Sequence, residues 1–107
     1  MADTRETMSS LLSIASSGLQ AAQLRLNASA HNVANLNTPG FKDQTVQQQA
    51  APPTGGVQAR TAQAARLGVA LEAEAVEQIT ASYAFKANAL VLRTADDMAG
   101  TLLDTLA

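Results

Sequence analysis

The chain has no cysteine and no tryptophan, a single histidine, and three aromatic residues in all: Phe41, Tyr83 and Phe85. Without cysteine there is neither a disulfide framework nor a thiolate metal site. Scarce aromatics leave little bulk for a core. The apolar fraction of 47% is mostly small, with 23 alanines among the 107 residues. Alanine buries little area, so the hydrophobic gain of a lone monomer should be modest, and the length allows one domain at most. Charge of one sign is also missing: seven basic and nine acidic residues give a formal net charge of −2 with no basic patch, which argues against a nucleic-acid partner. No long apolar run exists either. Thr7 to Leu24 is uncharged for 18 residues, the length of a membrane span. It contains Ser9, Ser10, Ser13, Ser16, Ser17, Gln20 and Gln23, too polar for hydrocarbon. The same serines, with Arg25 and Asn27, interrupt the apolar core a cleaved signal would need before Ala28-Ser29-Ala30. We therefore expect no membrane span, and no cleaved signal peptide if the chain is exported.

The residues of catalysis are absent as sets. His31 has no flanking carboxylates and cannot supply the three or four ligands of a zinc site; it reads as a surface or interface residue. There is no G-x-S-x-G elbow, and Gly55-Gly56 is not followed by the Lys-Ser/Thr of a phosphate-binding loop. Glu72 and Glu74, two apart, lie on different sides of a helix and cannot act as an acid/base pair. Asp96-Asp97 is isolated. The expectation is a chain that is not an enzyme, with no cofactor, no metal and no small-molecule ligand.

Two long helices are what the sequence does contain. Residues 1–7 carry Asp3, Arg5 and Glu6 without periodicity and read as a disordered tail. From Met8 to about Leu36, Leu12, Leu19, Leu26 and Val33 recur every seven residues, with Ala15, Ala22 and Ser29 three later. That is a seam pairing large residues with small ones. A second stripe of small or apolar residues, Leu11, Ile14, Gly18, Ala21 and Ala28, lies beside it, and Arg25 is the only charged residue between Met8 and Phe41. Solvent-facing helix surfaces normally carry charge, so this helix should be covered on two sides. The first helix closes at Asn35-Leu36-Asn37-Thr38-Pro39-Gly40. Pro39-Gly40 fits the centre of a type II turn, and Phe41 is placed to fold back as an anchor. Residues 8–42 thus form an N-terminal core helix and turn. Residues 43–66, with Gln47-Gln48-Gln49, Pro52-Pro53 and Gly55-Gly56, read as a polar arm or linker, at most briefly extended at Thr45 to Gln49. Residues 67–107 form a C-terminal core helix with Val69, Val76, Tyr83 and Leu90 at seven-residue spacing, supported by Ile79. Asn88 reads either as a surface residue or as a buried polar group that fixes register.

The fold class expected is all-α: the two helices paired as an antiparallel coiled-coil-like hairpin, residues 8–107 together forming one domain, with a flexible middle arm. Leu12, Ala15, Leu19, Ala22, Leu26 and Val33 should form the intramolecular seam with Val76, Ile79, Tyr83 and Leu90. Ile14, Gly18, Ala21, Asn32, Asn35, Phe85 and Asn88 are the candidate contacts between subunits. On that reading a Gly18→Glu chain folds yet does not assemble.

Two segments carry a family resemblance. Ile14-Ala15-Ser16-Ser17-Gly18-Leu19, followed by Ala30-His31-Asn32-Val33-Ala34-Asn35-Leu36-Asn37-Thr38-Pro39-Gly40-Phe41-Lys42, resembles the N-terminal signature of bacterial flagellar rod and hook proteins. Val76-Glu77-Gln78-Ile79-Thr80-Ala81-Ser82-Tyr83-Ala84-Phe85-Lys86-Ala87-Asn88-Ala89, continuing through Thr94-Ala95-Asp96-Asp97-Met98, looks like their C-terminal signature. The resemblance implies a structural subunit of the basal-body rod that self-assembles through its terminal helices into a helical tube. It implies copies of itself and other axial proteins as partners, uncleaved passage through the flagellar type III export apparatus, and a location in the periplasmic rod. The motif Asn37, Thr38, Pro39, Gly40, Phe41 and Lys42 would mark where the core helix leaves for the middle region. Larger relatives insert β-rich domains there, and the short middle of this chain points to a small proximal-rod-like member. The rival readings are a cytosolic helical adaptor or export chaperone, and a rod homologue that no longer assembles.

Overall fold

The computed structural model describes residues 2–52 and 55–106. Four elements follow one another: helix α1, Ala2–Ala34; strand β1, Lys42–Ala50; strand β2, Val57–Leu67; and helix α2, Leu71–Leu106. The helices pair antiparallel, giving a long, thin body of 62 × 24 × 14 Å between Cα extremes.

Local chemistry sets the boundaries. No proline interrupts α1, which closes where Asn35 Nδ2 donates back to the His31 carbonyl at 2.8 Å. The chain then turns at Pro39-Gly40: the Phe41 N–H donates to the Thr38 carbonyl at 3.3 Å, and Gly40 has φ 74°, the positive value a type II turn requires at its third residue. The Phe41 ring settles against His31, with ring centroids 5.4 Å apart. Helix α2 opens with Glu72 and Glu74 in its first turn, where exposed backbone N–H groups favour anions.

The middle of the chain corrects the all-α expectation. Residues 43–66 are not a flexible arm. β1 and β2 form an antiparallel hairpin with Gln44 opposite Gln63 and Ala50 opposite Val57, and one irregularity between Lys42 and Gln44. At its tip the Ala51 N–H donates to the Gly56 carbonyl at 3.2 Å. Gly56, at φ 86°, leaves no room for a side chain, since a Cβ there would stand 2.5 Å from Ser17 Oγ. A two-stranded ribbon cannot stand alone in water. This one needs no core of its own, because it lies along α1, with the Val57 N–H donating to Ser17 Oγ at 3.1 Å. Part of the second face of α1 is therefore covered by the chain's own hairpin: Ala21 and Ala28 are buried, while Leu11 and Ile14 stay exposed, and Ala21 lies beside Val57 and Ala59 of β2. Two boundaries shift as well. Helix α1 begins at Ala2, within the segment expected to be a tail, and α2 begins at Leu71, after Gly68, with Val69 outside it.

The face of α2 that meets α1 also differs from expectation. Glu74, Ala81 and Ala95 are buried at multiples of seven residues, with half-buried Asn88 on the same line. They oppose Ala15, Ala22, Ser29 and Asn32, also buried. Val76, Ile79, Tyr83 and Leu90 are instead 62%, 58%, 68% and 63% exposed, and so lie outside the seam. The physical reason is close approach. Each of Val76 and Tyr83 stands two residues, or about 200°, around the helix from Glu74 and Ala81. Turning them inward would drive bulky side chains into a contact built for alanine and glycine. At Gly18 a Cβ would stand 2.5–2.6 Å from three atoms of the Asn88 carboxamide. On α1, Leu12 is exposed, while Leu19, Leu26 and Val33 are half-buried.

Gly18→Ala should therefore lower stability by about 1–3 kcal/mol, the usual cost of overpacking, because Asn88 is also tied to the Ala84 carbonyl at 2.9 Å. Adding Asn88→Ala should recover most of that loss. Thermal melts of the two single variants and the double variant measure the coupling, and strict additivity would disprove the contact.

Candidate functional site

The candidate site has an inner joint and an outer face. At the joint, Asn32 on α1 is 1% exposed. Its Nδ2 donates to the Gln44 carbonyl at 2.8 Å and to Glu74 Oε1 at 2.9 Å, and its Oδ1 accepts the Gln44 N–H at 2.7 Å. One carboxamide thus completes a strand-like rung with β1 and holds α2 at once. Ser29 Oγ adds a bond to the Glu74 carbonyl at 3.2 Å. Arg25 pairs with Glu77 of α2 through its Nε. Asn32 belongs inside the subunit, and the same correction applies to Gly18, Ala21 and Asn88, which face the opposite helix or the hairpin. They cannot serve as free contacts between subunits, and a glutamate at position 18 would strike Asn88 and disturb the fold itself. Ile14 sits beneath the hairpin tip, its Cδ1 3.0 Å from where a Gly55 Cβ would stand. Asn35 caps its own helix and accepts the Thr38 hydroxyl at 3.1 Å. Phe85 is exposed.

Two carboxylate oxygens at the joint, Asp43 Oδ1 and Glu74 Oε2, are buried and have no hydrogen-bond partner among the described residues. Burial, and then the nearby Glu74 charge, raise the Asp43 carboxyl above its ordinary 3.8. The folded chain consequently binds the Asp43 proton more tightly than the unfolded chain does. The stability contributed by that proton is complete below the ordinary value and is lost as pH climbs through the raised one.

The outer face is apolar where a solvated helix would be charged. Val76, Ile79, Tyr83 and Leu90 share one side of α2 and are exposed, with Met98 exposed beyond them. Ile79, Tyr83 and Lys86 line a shallow depression with Gln78 and Ser82, and Lys86 Nζ lies 5.9 Å from the Tyr83 ring centroid. Leu11 and Leu12 are exposed on α1. Among the described residues no group of three or more His, Cys, Asp or Glu is placed to hold a metal ion, and no helix is long and apolar enough to cross a membrane. Sequence reasoning missed Glu74 and Gln44 as joint residues and read Ser29 only as a small residue of the seam. The seven-residue line Glu74, Ala81, Asn88, Ala95 was available as a signal, hidden because none of its members is a large apolar residue.

Small residues close the helix pair, and bulky ones are displayed outside it. Two family models match the chain. Residues 12–42 match the model of the flagella basal body rod protein family, and residues 66–105 match that of the flagellar basal body rod FlgEFG protein C-terminal region. The chain belongs to the flagellar basal-body rod protein family, whose members are structural components of the basal body. No curated protein matches it.

Asn32→Ala strands the Gln44 main chain and Glu74 together. It should cost about 2–4 kcal/mol, more than one ordinary hydrogen bond, and should speed amide exchange at Gln44 ahead of the rest of β1. Equal exchange throughout the hairpin would show that Asn32 is not the joint. Asp43→Asn should remove the part of the melting temperature that the parent loses as pH rises from the ordinary carboxyl value through the raised one. Parallel profiles for variant and parent would show that the Asp43 proton is not linked to folding.

Proposed function

We propose that this chain is a structural subunit of the flagellar basal-body rod that assembles with copies of itself and with other axial proteins through the outer face of α2. The observation that carries this reading is the row of bulky apolar side chains, Val76, Ile79, Tyr83 and Leu90, left in solvent while alanines fill the interior. A contiguous exposed apolar patch marks an interaction site. A second apolar site, Leu11 and Leu12, lies on α1, so the two surfaces that meet between neighbours need not be the same. Contacts of that heterologous kind generate open helical arrays where the rotation between neighbours does not close, which suits a tube.

On this reading the subunit leaves the cytosol uncleaved through the flagellar type III export apparatus and takes its place in the periplasmic rod. It performs no catalysis. Both proposals rest on membership of the rod family and on the residues missing from the sequence rather than on any bound partner.

Ile79→Glu and Tyr83→Glu test the assembly face directly. Both positions are exposed, so the isolated variants should keep their helix content and melt within about 0.5 kcal/mol of the parent. Neither should be recovered in purified basal bodies. Incorporation of both at the parent level would overturn the reading, and retention of the parent chain in the cytosol of exporting cells would favour an adaptor or chaperone.

A further inference from the structure

The free edge of β1 borders a groove with the dimensions and charge of a strand-addition site. Residues of an antiparallel pair alternate between those bonded to the partner strand and those whose N–H and C=O point away from it. The contacts of Gln44 and Val57 fix which are which. The Gln44 N–H and C=O both point away from β2, to Asn32, and the Val57 N–H points away from β1, to Ser17. The pairing continues without irregularity from Gln44 to Ala50. Val46 and Gln48 therefore present their N–H and C=O to the same outer edge as Gln44. Asn32 already stands on that edge as the first rung of a third strand.

The space beyond is a groove of about 520 Å³, floored by Arg25, Ala28 and Ser29 and walled by β1 on one side and Ala73, Glu74 and Glu77 on the other. Its volume suits three or four residues of extended chain. Its charge is one-sided: Asp43, Glu74 and Glu77 face a single cation, Arg25, which is already paired with Glu77. Glu74, only 8% exposed, has one oxygen without a partner. No proline or inward lysine guards the edge at residues 44–50, the usual devices that keep a strand from pairing with another chain.

We infer that this groove receives an extended, basic segment of a partner protein, which adds as a third strand to β1 and sets a lysine or arginine against the acidic wall. Main-chain bonds to Val46 and Gln48 supply the register, and the carboxylates select the charge. This contact is separate from the apolar face of α2 and stands whether or not that face carries assembly.

The probe is a free peptide with the sequence VQARTAQAARL, which forms β2 in this chain and carries two arginines and no acid. Titrated into the full-length protein, it should shift and protect the amides of Val46 and Gln48. A peptide with both arginines changed to glutamate should bind about tenfold more weakly or not at all, the equivalent of one lost charge contact. Val46→Pro removes an outward N–H and leaves the β1–β2 ladder intact, as proline is tolerated at such edge positions; it should abolish binding. N-methylation of alternate peptide amides provides the same test without altering the protein: one phase should block binding and the other should not. The inference is overturned if Val46 and Gln48 do not respond, if the glutamate peptide binds equally well, or if both methylation phases behave alike. Unchanged binding to Val46→Pro would show exchange with β2 instead of addition at the edge, and would overturn it too.

Discussion

The Asn32 carboxamide is where the three parts of this molecule meet. Its oxygen and nitrogen satisfy both main-chain groups of Gln44, and its second N–H reaches Glu74. Neither partner is close in sequence, so the bonds act only when hairpin and helix pair are both formed. A buried amide with every hydrogen accounted for is directional in a way that alanine packing is not. Sliding α2 by one residue, or slipping β1 by one, would leave buried polar groups without partners. With so little bulk in the seam, register is set here by hydrogen bonds, with Ser29 and Arg25 reinforcing the same end of α2.

Small residues perform the complementary task. Ala15, Gly18 and Ala22 let α1 and α2 approach until the Asn88 side chain fills the space above Gly18. This closeness leaves almost no large side chain inside, and the apolar area gained by the lone chain is correspondingly thin. The bulky residues sit outside in a row. Such a division suits a rod-family subunit: the monomer is shaped by hydrogen bonds and backbone proximity, and its hydrophobic surface remains available for other chains.

Much of the architecture was legible in the sequence, for reasons that can be traced to particular residues. Both long helices are visible because nothing inside them breaks the pattern, and the turn because Pro39-Gly40 permits little else. The hairpin was not legible. Its strands are glutamine, alanine, threonine and arginine, with only Val46 and Val57 as apolar markers, and they are held by α1 rather than by a core of their own. Face assignment on α2 failed for a related reason. Reading large apolar residues as the seam is sound for a chain that must be stable alone, but here Val76, Ile79, Tyr83 and Leu90 face outward and a line containing Glu74 and Asn88 faces in. The two-sided cover of α1 expected from its single charge, Arg25, is met only in part, with Ala21 and Ala28 buried and Leu11 and Ile14 exposed; what lies on that side, the chain's own hairpin, required a long-range pairing that no local pattern announces. Asn32 stood out as one of three clustered asparagines, yet its partners lie 12 and 42 residues away.

The central claim is that the outer face of α2 is solvated in the isolated chain and covered in the rod. Hydroxyl-radical footprinting followed by mass spectrometry reads this at single residues, comparing purified subunit with intact basal bodies. Tyr83, Leu90 and Met98 should be oxidised readily in the free chain and strongly protected in the particles, with Ala81 and Ala95 unreactive in both. Equal oxidation of Tyr83 and Leu90 in the two states would contradict the account.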